Sequence, residues 1–379
     1  MQKIACKILF GDRAKYLGLI FGITFATVLM AQQVSIFIGL MERTAGAIYA
    51  IPEVDIWVMD PRVRYVDEVE PLRDIELTNV RSVSGVEWAV PFYKGLATIR
   101  MPDGITQQVQ LIGVDDVSLV GICHETIKGD KLAVKRPQTA MIDQNGYIFI
   151  WPGQSLEIGR EIEINDNRII IDSVCDANPT FFTFPIIYVS YSTALQITPA
   201  TRNRLPFILV KASQEEDLEI VKQRIVSQTG LQALTKNEFA WRSINYVLER
   251  TGIPINFAIT ILLGVIIGAA ITAQTFYIFV VENLKHFGAM KAIGVTNIQL
   301  LKVVLTQAGI VGVLGYSIGM GFTAFFFMIM ADDPAFKGFI LHWQVILGTA
   351  IVMSVVILFS IIFSLSKVFK LDPAIVFRG

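Results

Sequence analysis

The sequence predicts a membrane protein with four transmembrane α-helices and a large α+β extracytoplasmic domain inserted between spans 1 and 2. Three observations predict it. Four stretches without Asp, Glu, Lys or Arg each exceed the roughly 20 residues that a bilayer crossing needs. About 210 residues of ordinary polarity separate the first stretch from the second. Basic residues concentrate in the short segments on one side of the spans, which is the cytoplasmic signature.

The uncharged stretches are residues 16–41, 251–281, 303–331 and 338–366, of 26, 31, 29 and 29 residues. Each is dominated by Ile, Leu, Val, Phe, Gly and Ala. A helix apolar all round and this long is rewarded by lipid rather than by a protein core. The basic start of the chain (Lys3, Lys7, Arg13, Lys15) also suits a signal peptide. The apolar run is too long for one and no A-x-A site closes it, so an uncleaved anchor is the expectation.

Segments 1–15, 282–302 and 367–379 together hold ten Lys or Arg against three acids. The short link 332–337 has Asp332 and Asp333 against Lys337. Residues 1–15 (an amphipathic segment), the loop 282–302 and the terminus 367–379 are therefore expected in the cytoplasm, with 42–250 and 332–337 outside. The localisation that follows is the inner (cytoplasmic) membrane, multi-pass, with both termini cytoplasmic.

Of 379 residues, 53% are apolar and 17% charged, with a net charge of −1. That balance offers no basic excess for phosphates and excludes nucleic acid as the main partner. Three cysteines and three histidines are too few for a disulfide scaffold or a His-rich metal site, so no metal is expected.

Within 42–250, 21 basic residues face 28 acidic ones, a local charge of −7. Val54–Met59 reads as a half-buried strand, and Gln108–Val114 and Glu161–Ile164 alternate likewise. Ile186–Val189 and Phe207–Val210 read as short buried strands. Asp143–Gly146 and Trp151–Gly153 read as turns. Glu215–Gln228 reads as an amphipathic helix, and Leu72–Val83 is a second candidate. The insert is thus α+β with a mostly β middle. Its edges read as helical stalks: 42–50 continuing the first span, and a helix carrying Phe239, Ile244, Val247 and Leu248 on one face, with Pro254 a candidate kink.

The sequence offers no catalytic constellation, and no catalytic residue is assigned. Gly-Lys occurs nowhere in these 379 residues, so they hold no Walker-type P-loop. Gly315-Tyr-Ser-Ile-Gly319 fits a nucleophile elbow on paper, but Ser317 lies mid-span, where no strand-to-helix turn exists. The pairs Gly18/Gly22, Gly264/Gly268 and Gly315/Gly319 instead suit close helix packing in lipid. His124-Glu125 begins a zinc motif that Lys128 breaks. Cys123 and Cys175 both lie in the insert; they pair if the compartment is oxidising, and two separate buried thiols are the blander expectation. Apart from His342 near one end, no ionisable side chain lies inside a span, which argues against an ion-coupled transporter. Phe181, Phe182 and Phe184 form an aromatic cluster, read either as core or as a partner-docking patch.

The loop after the second span carries the strongest signal. In Glu282–Gly294, Phe287, Met290 and Ile293 recur at helical spacing, with Lys285 and Lys291 beside them. Gly294 fits a helix C-cap, and Thr296-x-x-Gln299 a capping box opening the next helix. Such a short amphipathic helix rests on lipid or docks in a groove of another protein.

E-x-x-K-x-F-G-x-x-K-A-I-G resembles the coupling helix of FtsX-like ABC permeases, the class that includes MacB, LolC/LolE and DevC. The layout, one span, about 200 residues and three more spans, is similar over the whole chain. The ending Asp372-Pro-Ala-Ile-Val-Phe-Arg378 looks like that of stand-alone DevC-type permeases. His286 stands where the motif is normally acidic. The resemblance implies a permease subunit, not itself an enzyme, that transmits the motion of a separate cytoplasmic ABC ATPase to the outer domain for export. ATP and Mg would bind that partner, and no cofactor is expected in this chain. It further implies a second permease copy, a periplasmic adaptor and an outer-membrane channel, with Glu282, Lys285, Phe287, Gly288, Met290, Lys291, Ile293 and Gly294 meeting the ATPase. Lipoprotein release, as in LolC/LolE, and FtsX-like regulation of cell-wall hydrolases are the alternatives within the class. A membrane-anchored sensor is the alternative outside it.

Overall fold

The computed structural model describes residues 13–198, 205–331, 333 and 336–369. The segment up to residue 12, residues 332, 334 and 335, and the ending Asp372–Arg378 lie outside the described residues. The chain divides into two compact units: 40–251 with 333–338, and a membrane unit made of the remainder.

Helix α1 (Arg13–Tyr49) begins in the membrane unit and enters the insert unit at Leu40. The insert then runs β1 (Ile56–Met59), α2 (Ile75–Arg81), β2 (Val86–Arg100), β3 (Thr106–Val114), β4 (Thr126–Gly129) and a 3-10 turn (Lys131–Lys135). It continues through β5 (Thr139–Asp143), α3 (Gln144–Ile150), β6 (Arg160–Ile164), β7 (Asn167–Cys175), β8 (Ile186–Ser190) and α4 (Tyr191–Ile197). It ends with β9 (Phe207–Ala212), α5 (Leu218–Thr229), β10 (Gln232–Thr235) and α6 (Lys236–Arg250). The domain between the first two spans is mixed α and β, as its sequence predicts.

Two sub-sheets share the 15-residue strand β2. Its first part, Val86–Phe92, pairs antiparallel with β9, and β9 with β1 and β1 with β10 extend that side. Its second part, Tyr93–Arg100, pairs with β3. From there β3–β8, β8–β5, β5–β7, β7–β6 and β6–β2 ladders close a six-stranded ring. Ring closure leaves those strands few free edges. The inward residues Ile99, Leu111, Ile142, Ile164 and Ile171 fill the interior.

Val54–Met59 departs from its half-buried reading, because all four β1 residues are buried. Ile56 and Val58 face a core closed by α2 and α5, and Trp57 and Met59 face another. Trp57 sits 5.6 Å from the Phe92 ring and 5.5 Å from those of Phe207 and Phe239. Edge-to-face and tilted pairs of this kind suit aromatic quadrupoles. Phe239 comes from α6, where Ala240, Ser243 and Val247 are also buried.

A turn and two thiols also differ from expectation. Asp143–Gly146 is the N-cap and first turn of α3: the Asp143 carboxylate accepts from the Gly146 N–H at 3.0 Å. An N-cap aspartate and a turn aspartate share the same local hydrogen bond, so the sequence does not separate them. Cys123 and Cys175 form a disulfide across 52 residues, against the blander expectation of separate thiols. Cys175 closes β7 opposite Thr126 of β4, and that ladder brings Cys123 alongside.

The membrane unit adds α7 (Ile253–Glu282), α8 (Leu284–Ala292), α9 (Asn297–Met330) and α10 (Trp343–Phe369). Helices α1, α7, α9 and α10 are long and apolar enough to cross a membrane. Pro254 kinks no continuous helix: Thr251 is extended, and the proline sits in the first turn of α7, where its missing N–H costs nothing.

The three small-x-x-x-small pairs all lie at helix crossings on α1. A Cβ at Gly22 would meet Ile271 at 2.7 Å, and Gly18 faces Thr275. Gly264 and Gly268 of α7 approach Leu29 and Ala26 in return. On α9, a Cβ at Gly315 would meet Ile23 at 2.8 Å, and one at Gly319 the Thr24 carbonyl at 2.9 Å. The Thr24 hydroxyl donates to the Gly315 carbonyl at 3.0 Å across the same crossing. A methyl at Gly319 presses on backbone, which cannot rotate away. Gly319→Ala should therefore cost about 1–3 kcal/mol through overpacking. Gly321, with open space around it, is the control, since both changes alter helix propensity equally. Thermal unfolding in detergent should separate the pair, and equal midpoints would refute the crossing.

Candidate functional site

The loop between α7 and α9 is built from three local signals. Helix α7 ends at Asn283, whose side-chain amide donates to the Phe279 carbonyl at 2.8 Å, and α8 restarts immediately. Helix α8 ends in a Schellman motif. Gly294 has φ +97°, the Val295 N–H donates to the Met290 carbonyl at 3.0 Å, and the Gly294 N–H donates to Lys291 at 3.0 Å. The left-handed conformation at Gly294 is why a glycine stands there. Thr296 then caps α9 with a reciprocal capping box to Gln299.

This geometry divides the apolar face that the spacing suggests. Phe287 is 1% exposed, in one cluster with Phe279, Val280, Leu300 and Val303. Gly288 is buried, and Met290 packs half-buried on the same cluster with Val295. Phe287 and Gly288 thus hold α8 to its neighbours and cannot form the outer surface. Ile293 is 84% exposed, beside exposed Gly294 and an exposed Ile298. Glu282 and His286 are exposed and Lys291 half-buried. The Lys285 side chain lies outside the described residues. The loop presents an apolar tip, Ile293–Gly294, on a rigidly capped turn.

The insert carries the second candidate. Phe181, Phe182 and Phe184 are not core: Phe182 is 61% exposed, and its ring lies 5.1 Å from Phe181 and 5.8 Å from Phe184. The segment is anchored at both ends. Asp176 pairs with Lys337, and its N–H donates to the Glu125 carbonyl. At the other end the buried Asp143 carboxylate accepts the Ile186 N–H at 2.6 Å. Between them Thr183 adopts φ +53°. Exposed aromatics on a fixed loop form a ridge rather than a collapsed plug.

Burial pushes the Asp143 carboxyl from 3.8 up to about 6, against the opposing hydrogen bonds from Ile186 and Gly146. The unfolded chain releases this proton near 3.8 and the folded domain near 6, so the folded state holds more protons between them. This group's contribution therefore falls as pH rises through that window and levels off above it. Asp143→Asn removes the titration. Its stability relative to the wild type should rise by about 2.5 kcal/mol between pH 3.8 and 7. Urea unfolding at the two pH values measures this, and a constant difference would mean that folding leaves the carboxyl pKa unchanged.

A third cluster escapes sequence reasoning. Lys94 of β2 is 1% exposed and bonds Asp67, with the Gln110 Oε1 at 3.5 Å. The Gln110 amide in turn donates to the Gly95 carbonyl at 2.8 Å. A lone lysine in a strand reads as a solvent-facing charge, and only the β2–β3 pairing and the loop bearing Asp67 bury it. His124 pairs with Glu53 at 3.3 Å rather than beginning a metal site. Ser317 sits within α9.

Residues 258–373 match the family model described as FtsX-like permease C-terminal. Over 215 residues, 54% of this chain, the sequence is 20% identical to the macrolide export ATP-binding/permease protein MacB of Salmonella typhi. The match to MacB of Salmonella paratyphi A is the same. That stretch is 33% of their length, so the chain spans about a third of the curated relatives it matches. Among solved structures, the chain is similar to the periplasmic region of MacB from Actinobacillus actinomycetemcomitans, at TM-score 0.39 and 14% identity over 54% of this chain and 96% of that one. It is also similar to the extracellular domain of the noncanonic ABC-type transporter YknZ from Gram-positive bacteria, at TM-score 0.35 and 10% identity over 48% of this chain and 98% of that one.

Proposed function

We infer that this chain, whose residues 258–373 match the FtsX-like permease C-terminal family, is the membrane subunit of an ABC exporter driven by a separate ATPase. The observation that carries the reading is the capped Ile293–Gly294 tip. A packed anchor (Phe287), a Schellman stop and a capping box fix an exposed apolar knob between two long helices. Such a knob suits a groove on a partner better than it suits water.

In this reading ATP and Mg bind the ATPase, and its closure moves α8. The motion passes along the helices to the insert, so substrate need not pass between the spans. The basic segments support a cytoplasmic α8, cytoplasmic termini and an insert on the other side. The Cys123–Cys175 disulfide supports that sidedness, because such bonds persist in oxidising compartments. The inner membrane, a second permease copy, a periplasmic adaptor and an outer-membrane channel complete the proposed assembly. MacB is by name a macrolide exporter, and export is the direction we propose here.

Cross-linking in cells, purification of the tagged chain in mild detergent and mass spectrometry of its partners test the reading. An ABC ATPase together with a periplasmic adaptor is the expected result. A lipoprotein carrier with a second, different permease would replace export by lipoprotein release. Recovery without any ATPase would overturn the permease reading.

A further inference from the structure

We propose that the cleft between the aromatic ridge and strands β2 and β3 of the insert is a binding site for an amphipathic small molecule bearing an acceptor oxygen. The cleft has a volume of about 310 Å³. Phe182, Phe184, Val69 and Leu96 wall it, and Lys94, Asp67 and Gln110 lie at its polar end. Phe182, Leu96 and Val69 are 61%, 52% and 39% exposed. Apolar walls around a few fixed polar groups, at this volume, are what small-ligand sites share.

The polar end selects the chemistry. The Lys94 ammonium carries three N–H donors, and Asp67 and Gln110 account for two of them. Its burial makes a further hydrogen bond to an acceptor favourable, and Asp67 already balances its charge. A carbonyl or carboxylate oxygen answers that donor, while an aromatic or alkyl body covers Phe182 and Leu96. The ridge needs no ligand to hold its place, since Asp143 and Asp176 fix the ends of its loop. Little ordering is then lost on binding.

The site does not depend on the ATPase reading, and its test uses no ATPase. The full chain in lipid nanodiscs is titrated by saturation-transfer NMR with 1-naphthaleneacetate, and with 1-naphthylethylamine as the cationic counterpart, each against empty nanodiscs. The acetate should bind saturably with a Kd of about 1 mM or tighter, given its size. Phe182→Ser, at an exposed position, should weaken it at least tenfold with the thermal midpoint unchanged. Lys94→Met should weaken the acetate more than the hydrocarbon 1-methylnaphthalene, and a folded Lys94→Met that binds both equally would remove the lysine from the site. Phe149→Ser, on the far side of the ridge, should leave binding as it was. Binding no greater than to empty nanodiscs, equal binding by Phe182→Ser, or preference for the amine would each overturn the proposal.

Discussion

Replacing Cys123 and Cys175 together by alanine should lower the unfolding free energy of the insert by about 4 kcal/mol. The bond closes a loop of 52 residues, and tethering a loop of that length removes about that much chain entropy from the unfolded state. The location adds a second reason. Cys175 ends β7, whose other partners β5 and β6 belong to the six-stranded ring, and Asp176 starts the anchored aromatic segment. Losing the bond should therefore loosen β4 first and the ridge next. Four of the five tryptophans (Trp57, Trp88, Trp151 and Trp241) lie in the insert, so urea unfolding followed by tryptophan fluorescence reports mainly on it. Dithiothreitol should shift the wild type to the midpoint of the variant and leave the variant unmoved. An unshifted wild type under full reduction would mean that the bond contributes nothing to stability.

What the sequence discloses and what it hides divide along a physical line. Uncharged runs longer than a bilayer crossing report the membrane helices directly, because a helix in hydrocarbon must be apolar around its circumference. The cap signals at Gly294 and Thr296 are equally direct, since each is a local hydrogen-bond pattern. Alternation also locates β3 and β6. It misjudges β1, where Asp55 makes a strand covered on both faces look half-buried. The long strand β2 is less legible still, because its two parts pair with different strands and each face changes its surroundings at Tyr93. Non-local pairings stay hidden altogether. The Cys123–Cys175 bond, the burial of Lys94 and the exposure of the phenylalanine ridge all depend on strands far apart in sequence. Even the loop between α7 and α9 is only half legible: spacing puts Phe287, Met290 and Ile293 on one face, while packing turns the first inward and the last outward.

That division fixes which substitution tests the proposed coupling. Met290→Asp, the obvious choice from spacing, puts a carboxylate against the apolar cluster that holds Phe287 and Leu300, where loss of coupling and loss of packing look alike. Ile293→Asp does not. Ile293 is 84% exposed with ordinary helical backbone (φ −82°, ψ −1°), and the Schellman hydrogen bonds use its neighbours. The change should leave the thermal midpoint of the purified chain within experimental error. In a complex with the ATPase, the same change removes a buried isoleucine, about 2 kcal/mol, and leaves a desolvated charge in its place. Affinity for the ATPase should fall about 30-fold or more, with ATP hydrolysis no longer moving the insert. Ile293→Leu should retain both. Titration of the co-purifying ATPase onto each variant in nanodiscs reads the affinity, and spin labels on the insert read the motion. Full affinity in Ile293→Asp would place the contact elsewhere on the loop. Full affinity with lost motion would make the tip a transmitter rather than an anchor.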